Sequence, residues 1–366
     1  MIIAAHNIET PCHRQYFYVG GVYEEDKSTS FGGHVMRDQT YVECLTPLGG
    51  AIREHPLVFV HGGGQSGLNW LHTLDGRKGW ASYFLDQGYT VYLIDTASRG
   101  RSAPALQRKH VHYPTGFVED MFTAPKAAGK WPQAELHMQW PGRGKRGDLI
   151  FDQFYASTLP SMSDLVAYQQ TQKAGITALL ERIGRPSILI IHSQGAPGGW
   201  LAADACPHFV KAIIAVEPNG PPFAGTHPHN GSKARVWGLA DVPMAFSPPI
   251  TDPSELRLIT IPATQGGRSP VVLQDQSEGR VIHKLKNLQN MPVLVEVGEA
   301  SYHAEYEHAT VAFLRQAGVS CDLIRLEELG IKGNGHMQML ELNNLDIAAV
   351  LQKWIEDRFP HSKAAL

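Results

Sequence analysis

A serine after a short apolar segment is the side chain best suited to nucleophilic chemistry. Ser193 follows the apolar residues 188–191 and precedes Gln194, Gly195 and a segment of small residues. A strand that turns abruptly into a helix exposes the side chain at the turn, and small neighbours avoid clashes there. The match to Gly-x-Ser-x-Gly is incomplete, because Ile191 replaces the first glycine. We therefore predict that Ser193 is a nucleophile; the alternative is a plain helix N-cap.

A glycine cluster follows a second apolar segment, residues 57–60, in the sequence His61-Gly62-Gly63-Gly64. Attack on a carbonyl group places negative charge on its oxygen, and backbone N–H groups stabilise that charge where no side chain blocks the approach. We expect the N–H groups of Gly63, Gly64 and Gln194 to serve as these donors. A phosphate-binding loop is the alternative, but neither Gly-Lys-Ser/Thr nor a glycine fingerprint opening a helix is present.

A serine nucleophile needs a base, and the base is oriented by an acid. His336 lies in a glycine-rich loop after the last predicted strand and before the C-terminal helix, from which its imidazole can reach the strand ends. A histidine that only packs in a loop is the alternative. Two acids compete: Glu217 ends the strand after the nucleophile's helix, and Glu299 ends the following strand. The residues alone leave this choice open.

Short apolar segments alternate with amphipathic ones along most of the chain. Strands are predicted at residues 15–23, 40–46, 57–60, 90–95, 187–191, 212–216, 292–297 and 322–326. Helices are predicted at 165–183, 197–205, 303–317 and 345–359. Strands that alternate with helices indicate the α/β class, with a mostly parallel sheet covered on both faces. We expect one domain over residues 1–366.

Two segments depart from this alternation, at about 103–161 and 220–290. Both are longer than ordinary loops, and long excursions from the strand ends of such a sheet are usually functional lids. They contain aromatic and methionine side chains suited to a hydrophobic pocket, although ordinary packing would also explain them. These side chains are Phe117, Met121, Phe122, Trp131, Met138, Trp140, Trp237, Met244 and Phe246.

Composition narrows the classes of partner. The 366 residues carry a formal net charge of −3 without a basic run, which argues against binding nucleic acid or an anionic membrane. No apolar run approaches the roughly 20 residues of a membrane helix, and no basic segment precedes the apolar start, so we expect a cytoplasmic protein with a small-molecule substrate. The four cysteines are scattered, which argues against disulfides and zinc.

Histidine pairs offer a metal alternative, at His110-x-His112 and His227-x-His229. Neither pair has a clear third ligand nearby, whereas a catalytic metal normally has three protein ligands. We expect neither a metal nor an organic cofactor.

Several short motifs, in order, resemble the bacterial esterase 713 branch (Alcaligenes) of the α/β-hydrolase superfamily. The resemblance runs from about Phe17 to Ile355, apart from the two insertions. Its most specific pieces are Tyr41-Val42-Glu43, Asp75-Gly76-Arg77, Ile94-Asp95 with Arg99-Gly100-Arg101-Ser102, His192-Ser193-Gln194, Val216-Glu217-Pro218, and Gly333-Asn334 with His336-Met337.

The resemblance implies an α/β-hydrolase fold and a triad of Ser193, His336 and Glu217, with Glu217 preferred over Glu299. It also implies a possible homodimer. Two departures matter. The esterases have adjacent cysteines where this chain has Gly63 and Gly64, and their segment between acid and histidine is shorter, so their substrate preference does not transfer.

These observations together predict a serine hydrolase that cleaves a carboxylic ester or lactone, of a moderately large apolar molecule, through an acyl-enzyme. The fold also hosts C–C bond hydrolases and lyases with similar triads, and these are the alternative. A non-catalytic binding protein is the non-enzyme alternative, and candidates for all three triad positions argue against it.

Overall fold

An eight-stranded sheet forms the centre of the computed structural model, which describes residues 9–26, 30–102, 108–225, 233–263 and 268–360. Its strands are β1 (Cys12–Glu25), β2 (His34–Pro47), β3 (Leu57–Val60), β4 (Val91–Asp95), β5 (Ser187–Ser193), β6 (Val210–Pro218), β7 (Val293–Val297) and β8 (Cys321–Arg325). Their order in the sheet is β1-β2-β4-β3-β5-β6-β7-β8. Strands β3 to β8 are mutually parallel, while β2 is antiparallel to both of its neighbours.

Five helices cover the two faces of this sheet. They are α1 (Trp80–Asp86), α2 (Leu165–Ile183), α3 (Ala196–Ala205), α4 (Glu307–Gln316) and α5 (Asn344–Arg358). Helices α2, α3 and α4 pack on one apolar face, and α1 and α5 pack on the other. The central strands are buried on both sides, which explains why their sequences are continuous apolar runs rather than alternating ones. The predicted α/β class and mostly parallel sheet are confirmed.

The predicted elements differ from the observed ones mainly at their ends. Strands β1 and β2 are longer than predicted because they pair as a long antiparallel hairpin beyond the edge of the buried sheet. The predicted helix at 303–317 is divided into a 3₁₀ turn, Tyr302–Glu305, and α4. The break falls at Tyr306, whose φ of −136° is not helical.

The first insertion, described from residue 108, is mostly short helical turns. These are Thr115–Val118, a π-helical turn at Glu119–Thr123, Pro125–Ala128, a 3₁₀ turn at Pro132–Leu136, and Leu149–Ser157; His110–Val111 pairs with Ser161–Met162. The second insertion, described apart from residues 226–232 and 264–267, contains two short antiparallel pairs. They are Phe246–Ser247 with Lys284–Leu285, and Leu258–Ile261 with Val271–Gln274. The single-domain arrangement with two lids remains a prediction.

Arginines after β4 hold the carboxyl edge of the sheet together. Arg101 donates to Glu43 Oε2 at 2.5 Å and to Asp95 Oδ2 at 2.8 Å, and both carboxylates are buried. Arg99, also buried, donates to Ser161 Oγ at 2.6 Å at the end of the first insertion. Arg101 supplies the cation that the two buried carboxylates need. Arg99 ties the end of the first insertion to the sheet. In the part of the chain that the structure describes, no helix has the length and apolarity needed to cross a bilayer.

Candidate active site

Ser193 lies at the tight turn between β5 and α3, where its backbone has a left-handed φ of 50°. Such a φ is uncommon for a residue with a side chain and typically occurs at functional turns. Gly195 is required beside it, because a Cβ there would lie 2.4 Å from the carbonyl oxygen of His61. Ile191 is accommodated where the motif usually has glycine because it packs on Gly199, where a Cβ would lie 2.5 Å from Ile191 Cγ2. Gly195, not Ser193, is the N-cap of α3.

The structure brings Ser193, His336 and Glu217 into one hydrogen-bonded line. His336 Nε2 lies 2.9 Å from Ser193 Oγ, and His336 Nδ1 lies 2.6 Å from Glu217 Oε2. His336 is 119 positions from Glu217 and 143 positions from Ser193 in the sequence, so only the fold places them together. The line has the connectivity of a nucleophile, a base and an orienting acid.

Glu217 is the second-last residue of β6 and is fully buried, with a left-handed φ of 43°. Its Oε1 accepts hydrogen bonds from the Gly298 N–H at 2.9 Å and from Gln338 Nε2 at 3.1 Å. Its Oε2 accepts from Ser301 Oγ at 2.7 Å in addition to facing His336. Burial raises the pKa of Glu217, and these three donors oppose that rise by stabilising the carboxylate.

The competing acid, Glu299, has a different contact. Its Oε2 accepts a hydrogen bond from the N–H of Gly333 at 2.9 Å. Gly333 opens the loop that carries His336, and its left-handed φ of 74° favours glycine. The geometry therefore places Glu299 as an anchor of the histidine loop and Glu217 as the partner of the imidazole.

A second buried carboxylate shapes the histidine loop. Glu341 accepts from the N–H of Gly335 at 2.9 Å and from Asn334 Nδ2 at 2.7 Å. It also pairs with Nε2 of His137, which belongs to the first insertion, at 2.9 Å. The Trp131 indole of the same insertion donates to the carbonyl of Ala300 at 3.0 Å. The first insertion is thus attached to the segments that position His336 and Glu217.

The glycine loop after β3 lies against the Ser193 turn. A Cβ on Gly62 would lie 3.0 Å from Ser193 Cβ, so a larger residue would collide with the turn. Gly63 faces the Gln194 side chain, with 2.8 Å between a built Cβ and Gln194 Oε1. Gly64 has Tyr113 as its nearest neighbour, and its carbonyl accepts from Leu159 N–H at 2.8 Å. Of the three predicted donors, Gly63 and Gln194 lie beside each other, and Gly64 faces the first insertion.

Aromatic rings enclose the His336 imidazole, which the sequence analysis did not anticipate. His303 stacks on it at 4.6 Å and 9°, and Phe122 of the first insertion stacks at 5.3 Å. The centroid of the Tyr302 ring lies 5.0 Å from that of the imidazole. Phe122 was predicted only as lining of a pocket, and His303 and Tyr302 only as parts of a helix, because no local motif marks them.

Burial in this enclosure lowers the pKa of His336 below the ordinary imidazole value, with the nearby Glu341 opposing the shift. The cause is desolvation, which disfavours the charged imidazolium when no substrate charge is present. A neutral imidazole is the form that can accept the Ser193 proton.

One cluster in the described residues has metal-ligand chemistry: ligand atoms of Glu217, His303 and His336 lie within 4.8 Å of one another. Its geometry is poor for an ion, because the two imidazole rings are stacked face to face and their in-plane lone pairs do not converge. In the histidine pair considered as a metal alternative, each described ring contacts a protein group. His112 Nε2 lies 3.2 Å from Thr158 Oγ1, and His110 Nδ1 lies 2.8 Å from the Arg108 carbonyl oxygen. His227 and His229 lie outside the described residues.

A cavity of about 520 Å³ lies away from Ser193, at the amino ends of β3, β5 and β6. Its lining includes Arg53, His55, Arg185 and Lys211 but none of the triad side chains. In folds of this class, ligands bind outside the carboxyl ends of the strands. This cavity is therefore separate from the candidate active site.

Comparison with known proteins identifies the family of this chain. A family model described as the alpha/beta hydrolase fold matches residues 55–239, which include Ser193 and Glu217. A fungal protein named "Probable secreted lipase phiG", from Fungal sp. (strain ATCC 74256), is 43% identical over 344 residues, covering 93% of this chain and 89% of that protein. The chain belongs to the α/β hydrolase fold family.

A solved structure described as a novel bacterial esterase matches this α/β hydrolase with a TM-score of 0.64. It is 23% identical and covers 95% of this chain and 98% of that chain, a likeness that shows the fold alone. The predicted α/β-hydrolase superfamily is confirmed, while the esterase 713 branch remains a prediction. The fungal relative is named as secreted, which is at odds with the predicted cytoplasmic location and leaves that prediction unconfirmed.

The pKa shift of His336 predicts how the α/β hydrolase responds to acid. The imidazole accepts the serine proton only when neutral, and a lowered pKa keeps it neutral as the pH falls. We expect the acidic limb of kcat/KM to lie below about pH 6.5, the ordinary imidazole value. Initial rates across the acidic and neutral range, on samples whose activity recovers at neutral pH, would measure it. A reversible limb above the ordinary value would contradict the assignment.

Proposed function

We propose that this α/β hydrolase cleaves a carboxylic ester through a triad of Ser193, His336 and Glu217 and a covalent acyl-enzyme. The observation that carries the proposal is the continuous line from Ser193 Oγ to His336 Nε2, at 2.9 Å, and from His336 Nδ1 to Glu217 Oε2, at 2.6 Å. The 43% identity to a protein named a lipase supports ester hydrolysis. The proposal requires no metal and no organic cofactor.

Acylation begins when Ser193 Oγ attacks the ester carbonyl carbon and His336 Nε2 takes the serine proton. Glu217 stabilises the imidazolium that forms, and its three other donors keep the carboxylate in place. The N–H groups of Gly63 and Gln194, with Gly64 as a further candidate, bind the negative oxygen of the tetrahedral intermediate. Collapse of the intermediate breaks the ester C–O bond, and the leaving alcohol receives the proton from His336.

Deacylation repeats the same steps with water. The water oxygen attacks the acyl carbonyl carbon while His336 accepts a proton from the water. His336 then gives that proton to Ser193 Oγ as the acyl–oxygen bond breaks. A lactone would react in the same way, except that the leaving oxygen stays attached to the acyl group as a hydroxy acid. The product is a free carboxylic acid in both cases.

An aromatic wall beside the triad supports an apolar small-molecule substrate. Tyr113 stacks on Phe117 at 5.0 Å, Phe117 meets Phe122 edge-on at 5.6 Å, and Phe122 stacks on His336. All three insertion side chains are only partly buried, so apolar surface remains for a ligand. The wall connects the glycine loop, through Tyr113 at Gly64, to the catalytic imidazole. We propose that the first insertion is a lid that supplies this surface.

A fluorophosphonate probe tests the nucleophile. We expect the probe to modify Ser193 in the wild-type protein, because the activated hydroxyl attacks phosphorus as it attacks a carbonyl. Ser193→Ala should lose the label and nearly all esterase activity while keeping its thermal unfolding midpoint. Mass spectrometry of the modified peptide identifies the site, and esterase activity retained in Ser193→Ala would contradict the proposal.

Matched amide substitutions separate the two acids. Glu217→Gln should reduce kcat by about a thousandfold or more, because the amide cannot stabilise the imidazolium and favours the wrong tautomer. Glu299→Gln, which keeps an oxygen for the Gly333 N–H, should stay within about threefold of wild type. The two variants are compared with wild type by steady-state rates, each divided by the concentration of serine that the fluorophosphonate probe titrates. Equal losses in both variants, or the reverse order, would show that Glu217 is not the triad acid.

A series of p-nitrophenyl esters tests the apolar wall. We expect kcat/KM to rise from acetate to medium acyl chains, since each buried methylene adds about 0.8 kcal/mol of transfer free energy. Phe117→Ala should reduce this rise without changing the acetate rate, because Phe117 belongs to the wall and its ring contacts are with Tyr113 and Phe122, not with the triad. Val111→Ala, an exposed apolar change in the same insertion, is the control. A preference for acetate alone would contradict a roomy apolar site.

A further inference from the structure

A buried carboxyl group on the strand beside the triad acid, Glu296, has no role in the proposed chemistry. Glu296 is in β7, opposite Val216 of β6 and Ile324 of β8, and its side chain is fully buried. Within the described residues, neither of its oxygens has a hydrogen-bond partner when it is treated as a carboxylate. A buried carboxylate without partners is costly, so its protonation state needs an explanation.

The charges that face Glu296 are themselves acidic. Glu217 on β6, Glu307 on α4 and Glu327 in the turn after β8 all act on it as like charges. Desolvation is the largest contribution, and together these effects place its pKa well above the ordinary carboxyl value. Glu217, in contrast, has three donors. Of these two neighbouring acids, Glu217 is the one equipped to remain charged.

Gln338 connects the two acids. Its Nε2 donates to Glu217 Oε1 at 3.1 Å, and the same side chain lies close enough to Glu296 to lower the pKa of that carboxyl group. Its Oε1 is buried and has no partner in the described part of the chain. A protonated carboxyl group has an O–H that can donate to the unpartnered amide oxygen, whereas a carboxylate has no proton to donate. The amide N–H group remains with Glu217.

We propose that Glu296 is a neutral carboxylic acid paired with the Gln338 carboxamide, and that this pair positions Glu217. The pair gives Gln338 Oε1 and the protonated oxygen of Glu296 the partners that they otherwise lack. It also selects one orientation of the amide, because a flipped Gln338 would present its oxygen to the Glu217 carboxylate. Glu296 is therefore a positioning residue that acts through Gln338, and the inference rests on the proposed Ser193–His336–Glu217 triad.

Substitutions of similar size separate pairing from packing. Glu296→Gln keeps a neutral group that can donate to Gln338 Oε1, so its kcat should stay within about twofold of wild type. Glu296→Met fills similar space without pairing, so Gln338 is no longer held in place for its hydrogen bond to the Glu217 carboxylate. Its kcat should fall about tenfold or more with little change in KM, as expected when a hydrogen bond to a charged group is lost. Rates are normalised to the serine titrated by the fluorophosphonate probe, which removes any loss of folded protein.

A double variant tests whether the effect passes through Gln338. Gln338→Met alone should reduce kcat at least as much as Glu296→Met does, because it also removes a donor to Glu217. The double variant should lose no more than Gln338→Met alone, because the effects of residues that act in one chain are non-additive. The pH profiles of wild type and Glu296→Gln should coincide. If Glu296 were ionised, removing its negative charge would lower the pKa of His336 and move the acidic limb to lower pH.

The outcomes are distinct from those of the triad test. Wild-type labelling at Ser193 and inactivity of Ser193→Ala establish the proposed function before this series begins. Loss of activity in Glu296→Gln equal to that in Glu296→Met, a shifted acidic limb in Glu296→Gln, or additive losses in the double variant would overturn the positioning role. If Glu296→Met does not fold, the activity and the pH profile of Glu296→Gln still decide it.

Discussion

The active site depends on keeping one carboxylate, Glu217, inside the protein beside an imidazole. Removing such a charge from water is costly unless nearly every lone pair is matched by a donor. Gly298, Ser301 and Gln338 supply those donors, and they come from the end of β7, the turn after it and the segment beyond His336. The relative position of β6, β7 and the histidine loop is therefore set by the solvation of a single side chain.

A second carboxylate repeats this arrangement for the histidine loop. Glu341 holds the backbone at Gly335 and the side chain of Asn334, and it receives His137 from the first insertion. The insertion is consequently part of the structure that positions the imidazole, and Phe122 extends it to a ring contact with His336. This coupling gives a physical reason for a long excursion between β4 and α2, because the same segment orients the base and lines the site.

Enclosure of His336 has a cost and a benefit. Stacking with His303 and Phe122 helps to bury the ring away from water, which disfavours the imidazolium in the resting protein. The same exclusion strengthens the attraction between the imidazolium and Glu217 when the proton arrives, because charges interact more strongly at low dielectric. The balance keeps the base neutral until a reacting substrate requires it to be charged.

The sequence by itself determined the class of fold, the turn at Ser193 and the loop at His336, since these follow from local signals: apolar runs, small residues and glycines. It left Glu217 and Glu299 as alternatives, because both follow apolar strands that end at the same edge of the sheet. The family resemblance preferred Glu217, and the tertiary structure gives the two acids different contacts, Glu217 with His336 and Glu299 with Gly333. Ser301, Gln338 and Phe122 carried no recognisable signal of their contacts, since the residues that they touch lie 84, 121 and more than 200 positions away.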